Sequence, residues 1–546
     1  MFPKSPSTSS LDKEYLYNDS NYSKEFNQQR NSRTLSMRRN NLLTIANFKK
    51  TESSREFNHN NNGSDLLSSL KSETQQIITL DNFIEIFNSG DVTKTIQLSD
   101  MLIKIAKSSS KDLQNSLKNI TQSKEAGESF GMALSMTDSE NLLHSLLTSL
   151  IFAFPMFSQE AQEEIVNGGV ALKVDEILSN FVDNCSNNNC TCSDVNLLIE
   201  SCMLITILSK NSSYARDSFL CYSVHERLLN MLTAISSSVK QYQSQIHEKQ
   251  LDAQSNQILN SLAEAVQSIY VTKLNLVDDL GDQITDKLIN QMIQLVPTLY
   301  NINLFALKSI MSCLISIISS YTSVVDIYFD NNLDSICFSM LKNPELTSLT
   351  LSLLGNMCAT GDPKRLLPSI SVTDEHPSLF QILVEMIPTE FSADVFWIMS
   401  SLFDNLSGEL MNYITTEFIQ YIISIGCSSG YQVKKESAFF LATVITKISA
   451  SYIPKFAESA ELIDTLIEML GCGENKVVIR CIYAISYIIR SVESIKGKEA
   501  VLMIFSDTEL VDQIENLKEE HVEIIPLISC LSDSTFDSLL NNNESL

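Results

Sequence analysis

The sequence predicts an all-α chain, a solenoid of stacked helical repeats, and three observations carry that prediction. First, segments that resemble one another recur at 349–362, 393–404 and 433–445. With Ser352, Trp397 and Phe439 in register, the steps are 45 and 42 residues. The same step forward reaches Cys481 within an apolar run at 477–490, and a step back reaches Met311 within another at 305–320. Second, apolar residues in these runs fall three and four apart, the period of a helix that buries one face. Third, 44% of the residues are hydrophobic while the 546-residue chain holds only 15 Gly and 11 Pro, which suits long helices joined by short turns. Such a chain needs no single large core, because each repeat buries its face on the next.

Taken in order, residues 1–75 are rich in Ser and Asn and poor in large apolar side chains, so they are read as a disordered arm. From Thr79 the pattern turns helical, over 80–87 and then 96–106. The more polar stretch 108–139 is read as a helix and a connection, and 142–157 as one buried inner helix. An Asn-rich loop around Cys185, Cys190 and Cys192 interrupts the period, and 197–210 forms the next inner helix. A Gln-rich insertion at 240–257 is expected to loop out, as is 184–193, before 259–270 resumes the repeat. The solenoid is placed at 76–535, with a short disordered tail at 536–546.

The net charge of −26 argues against nucleic acid and favours basic partners through long-range attraction. The first 60 residues run the other way, with ten Lys/Arg against six Asp/Glu, so a basic arm precedes an acidic body. Twelve cysteines, scattered mostly through apolar segments with no secretory signal or membrane-length apolar run, suit reduced thiols in cytoplasm and nucleus and no membrane insertion. The cluster Cys185, Cys190, Cys192 lacks a fourth ligand at zinc spacing, so no metal is expected. There is no phosphate-cradling Gly-rich loop, no His-Glu-x-x-His and no Cys-x-x-Cys, and the six His are dispersed. The expectation is a protein that is not an enzyme and has no cofactor.

Two stretches identify a relationship. Gly355-Asn-Met-Cys-Ala-Thr-Gly-Asp362 and Lys434-Lys-Glu-Ser-Ala-Phe439 resemble segments of importin-α, the armadillo adaptor of nuclear import. The basic part of the arm, about 22–58, resembles that family's importin-β-binding segment: Arg30, Arg33, Arg38, Arg39, Lys49, Lys50 and Arg55 stand in it, while Asn40 and Asn41 replace two further basic residues. The stretch Tyr214-Ala-Arg216-Asp217 is similar to the family's Tyr-Arg-Asp, and 510–525 resembles its closing repeat, where an export receptor binds. The resemblance implies an armadillo-repeat right-handed superhelical solenoid with a disordered N-terminal arm. Importin-β is the implied partner of that arm, and proteins bearing basic localisation signals are the implied cargo of the concave groove.

In that family, stacked Trp rings flank the stems of cargo Lys and Arg, Asn four residues on bonds the peptide backbone, and nearby acids take the charges. Carried over residue by residue, Asn356 matches a groove Asn and Asp362 a groove acid. Trp397 matches a groove Trp with Ser401 in place of its Asn. Glu436 matches an acid one turn before Phe439, which replaces Trp, while Thr443 replaces Asn. All lie in the C-terminal half of the groove. In the N-terminal half, Leu204 and Leu208 stand where Trp and Asn are expected, Ser212 where an acid is, and the pair is missing near Glu264 and Ser268. Two alternatives stay open. Trp397 and Phe439 read equally as core packing, the commonest use of aromatic residues on helices. The whole chain also reads as a non-transport armadillo scaffold that has lost cargo recognition, its arm a plain basic tail.

Overall fold

The computed structural model describes residues 79–108, 117–187, 189–246, 252–271, 285–360, 362, 365, 378–505 and 508–520. The arm, with the seven basic residues named for its importin-β-binding segment, the tail, and the last part of the closing segment lie outside the described residues. Among the described residues every regular element is helical and none is a strand. They fall into two compact units, the first ending at Asn331 and the second beginning at Asn332.

In the first unit, one layer consists of α1 (Val92–Lys107), α2 (Glu140–Ala153), α3 (Cys192–Asn211), α4 (Ala253–Tyr270) and α5 (Leu304–Ser320), each packed against the next in chain order. A second layer, Ala171–Ser186, Val224–Ile246 and Asp286–Ile302, stacks the same way and backs α3, α4 and α5. The second unit repeats the plan. Its first layer is α6 (Thr347–Thr360), α7 (Ser392–Leu410), α8 (Tyr431–Lys447) and α9 (Asn475–Lys496). Thr416–Ser428, Ala460–Glu468 and Leu510–Glu520 follow one another behind it. Met311 falls on α5 of the first unit, and Ser352, Trp397, Phe439 and Cys481 on α6 to α9 of the second in turn, so the sequence period picks out the long helices of each unit.

Local chemistry sets the helix starts. Asp91 accepts from the Lys94 amide at 3.2 Å, Asp252 from Ser255 at 2.8 Å and Asn303 from Ala306 at 2.8 Å, each occupying an amide that the first turn leaves without a partner. Thr191 and Asp194 form a reciprocal capping box that starts α3. In the first unit the helix Lys124–Ser135 approaches the π-helical turn Val166–Val170 so closely that a Cβ on Gly131 would lie 2.2 Å from the Ile165 carbonyl oxygen. Only glycine fits that crossing.

Four expectations need correction. Part of the 240–257 insertion is helical: Val224–Ile246 runs into it and α4 begins at Ala253 from the Asp252 cap, while 247–251 lie outside the described residues. Residues 184–186 likewise complete the helix Ala171–Ser186, and Cys192 already opens α3. The apolar run 142–157 is not one helix, because Pro155 ends α2 in a 3-10 turn, Phe154–Met156. Finally, α3 is a 20-residue helix apolar enough to match a membrane span by length and composition, which the sequence reading did not find. It packs between α2 and α4 and carries Asp194, Glu200 and Lys210, as a core helix of the stack does. Core thiols behave as expected of buried hydrophobes: Cys202, Cys313, Cys337, Cys358 and Cys481 are all buried, and burial pushes the Cys358 thiol up to about 12.

Candidate functional site

The row of residues singled out in the second unit is brought onto adjacent helices. Asn356 lies on α6, Trp397 and Ser401 on α7, and Glu436, Phe439 and Thr443 on α8. Their exposure is low. Trp397 is 2% exposed and Phe439 1%, while Asn356, Ser401, Glu436 and Thr443 are also buried. Asp362, just past α6, is the exposed member. The Trp397 ring lies directly on the α6 backbone: a Cβ on Gly355 would sit 1.9 Å from Cζ3 of that ring, so the missing side chain of Gly355 is the seat for the indole. The three residues at the Asn position all turn to their own helix. Asn356 donates to the Ser352 carbonyl at 2.7 Å, Ser401 to Trp397 at 3.1 Å and Thr443 to Phe439 at 2.8 Å. A hydroxyl bonded this way offers a peptide its lone pairs but no longer its proton.

The second unit also supplies its own cations to this face. Arg480 of α9 reaches across α8, with its guanidinium carbon 5.5 Å from the centroid of the Phe439 ring. Beyond the ring it forms two bonds to Asp404 of α7, Nη1 to Oδ1 at 3.2 Å and Nη2 to Oδ2 at 3.0 Å. The pair is largely enclosed, the Arg480 side chain 14% exposed and the Asp404 side chain 6%. One turn earlier on α8, buried Lys435 pairs with Glu474 and lies 3.9 Å from Glu436, which also accepts from Gln432 at 3.3 Å. Guanidinium over ring and onto carboxylate is the combination sought for a cargo arginine. Sequence reasoning missed Asp404 and Arg480. Each residue lies near the register, Asp404 two helical turns past Trp397 and Arg480 directly before Cys481, but nothing in the sequence pairs them.

In the first unit, Leu204 and Leu208 are buried, and the open side of α3 runs instead through Glu200, Met203 and Lys210. Here too the long helices are tied to one another. Lys107 of α1 lies 4.1 Å from the Phe152 ring of α2, and Lys210 of α3 bonds Glu264 of α4 at 2.9 Å. His144 of α2 stands between Glu200 at 2.7 Å and Ser193 at 3.3 Å. Ser268 donates to its own helix at Ala265, and Ser212 caps the helix Ser213–Cys221. Buried Arg216 pairs with the adjacent Asp217. Between α2, α3 and the helix Ala171–Ser186 lies a cleft of about 340 Å³, where buried Lys173 meets Glu176 at 3.0 Å and Asp138 at 3.7 Å. No group of His, Cys, Asp and Glu among the described residues is arranged to hold a metal ion.

A comparison with protein-family models finds no match, and a comparison with curated proteins finds none. Among solved structures, the chain is similar to a crystal structure of an engineered protein from the Northeast Structural Genomics Consortium. The TM-score is 0.58 at 14% identity, covering 83% of this chain and 99% of that one. A second engineered protein from the same consortium matches 52% of this chain and 97% of its own at TM-score 0.38 and 16% identity, too low to carry an argument. At this identity the first likeness speaks for an all-helical fold and for nothing finer.

Proposed function

We propose that the chain is a non-enzymatic adaptor of the importin-α kind, an armadillo solenoid working between cytoplasm and nucleus. In this reading it takes the basic peptide of a cargo on the face formed by α6–α9, and importin-β through Arg38, Arg39, Lys49 and Lys50 of its arm. Arg30, Arg33 and Arg55 add charge to that arm, and an export receptor docks at the closing helix Leu510–Glu520. The observation that supports it is the coincidence of pattern and packing: Asn356, Trp397, Glu436 and Phe439, quoted for a resemblance, fall on three helices that pack one on the next. The acidic body, with a net charge of −26 for the whole chain, draws basic segments and repels nucleic acid. The test is capture of importin-β by the full chain against a variant with Arg38, Arg39, Lys49 and Lys50 all changed to Glu. The adaptor reading expects capture by the wild type, weakening with salt, and none by the variant. Equal capture by both chains sinks it.

A second reading, a scaffold that keeps the fold but not the cargo site, has one observation in its favour. Trp397, Phe439 and Glu436 are buried, and Arg480 already lies on the ring that a cargo side chain would use. Under this reading the wild type binds no basic peptide at all.

A further inference from the structure

We infer that Phe439 and Asp404 form a guanidinium seat that the chain fills in cis with Arg480, and that a partner arginine enters only by displacing it. Its geometry follows from three successive helices. The ring comes from α8, the carboxylate from α7 and the occupant from α9. Two parallel N–H to O bonds match the fork of a guanidinium to the two oxygens of a carboxylate, a match that a lysine ammonium cannot make. The seat therefore prefers arginine over lysine. Residues 404 and 480 are 76 apart, and the bond joins α9 to α7 across α8. The Arg480 side chain keeps 14% of its surface in solvent, so removing it leaves a cavity with a mouth and not a sealed void. Asp404, at 6%, would stay in that cavity as an unpaired carboxylate, a strong demand for a replacement cation. An adaptor whose seat carries its own arginine holds weak cargo off and yields to a segment that brings several arginines at once, because neighbouring contacts raise the effective concentration of the competitor. The partner's chemistry rests on the function proposed above; the seat itself does not.

The test uses the full chain with Arg480→Ala, and Arg480→Gln if the alanine variant does not accumulate folded. The variant should melt about 5 °C or more below wild type, the loss expected when one side of an enclosed pair is removed. Millimolar methylguanidinium should recover at least half of that shift, and methylammonium at the same concentration should not. The double variant Asp404→Asn/Arg480→Ala should show no selective recovery. Absence of selective rescue, or equal rescue in the double variant, overturns the seat whether or not the wild type binds any peptide. Binding of a hexa-arginine peptide is the second arm. Arg480→Ala should bind it about tenfold more tightly than wild type, with a smaller gain for hexa-lysine. Equal affinities overturn the displacement while leaving the adaptor reading to its own importin-β test.

Discussion

The two units share one plan of stacked long helices and treat the exposed side of those helices in opposite ways. In the first unit the ties between neighbours are more open: the Lys210 and Glu264 side chains are 47% and 43% exposed, those of His144 and Glu200 26% and 24%. In the second they are enclosed, with Arg480 and Asp404 at 14% and 6%, and an indole is pressed onto a glycine beside them. The repeat geometry is therefore neutral. What distinguishes the units among the described residues is where the chain has placed aromatic rings and carboxylates: the second holds a ring, an acid and a cation in contact across three helices. The adaptor reading proposed above places recognition chemistry in that unit.

The sharpest way to break this contrast is at the aromatic seat. Trp397→Ala should cost about 3–5 kcal/mol of stability, because it empties a packed site beside Gly355, whereas Met203→Ala on the open side of α3 should change stability by less than about 0.5 kcal/mol. Denaturant unfolding of both variants measures it, and similar losses would erase the distinction. The ion pairs come next. Asp404→Ala should cost roughly 3 kcal/mol by stranding an enclosed guanidinium, against under about 1 kcal/mol for Glu264→Ala, where water screens the partner.

Much of this arrangement was legible in the sequence, though not its decisive contact. The steps between Ser352, Trp397 and Phe439 are a one-dimensional signal, and the stack of α6, α7 and α8 realises them directly. The ends of the 240–257 stretch misled because Gln-rich composition was read as a loop, while 240–246 and 253–257 are helical. A helix needs only one apolar face, and Val224–Ile246 has it. Leu204 is buried, as Trp397 and Phe439 are at the matching place in their own repeats, while its neighbour Met203, about 100° around the helix, faces out. Arg480 with Asp404 was out of reach for a different reason. A pair 76 residues apart leaves no local pattern, and its partners become neighbours only when three repeats are stacked.

A smaller effect sharpens the comparison from the first unit. His225 is buried, neither ring nitrogen has a hydrogen-bond partner among the described residues, and its ring centroid lies 6.1 Å from that of Tyr270. Burial lowers its pKa below the usual histidine value, with Glu226 opposing. A folded pKa below the unfolded one means that protonation favours unfolding. The stabilisation is complete above the unfolded value of about 6.5 and is lost as pH falls towards the folded one. Melting temperatures should drop between neutral and mildly acidic pH, and His225→Phe should flatten part of that drop. An unchanged slope would show that other groups control it. The least effect is expected at Ser193, His144 and Glu200, which have the order of a hydrolytic triad but serve to tie α2 to α3. A fluorophosphonate probe should leave Ser193 unlabelled, and labelling there would contradict the non-enzymatic reading.

Titration of an Arg- and Lys-rich localisation peptide against the full chain tests the central claim most directly, with Asp362→Lys and Glu264→Lys as the paired variants. Both substitutions reverse the charge of an exposed or half-buried carboxylate, one beside α6 and the other on α4. The account predicts that the wild type binds, that Asp362→Lys loses at least about tenfold in affinity, and that Glu264→Lys stays within about twofold. Equal losses in the two variants, or a wild type that does not bind, would contradict the assignment of the peptide face to the second unit.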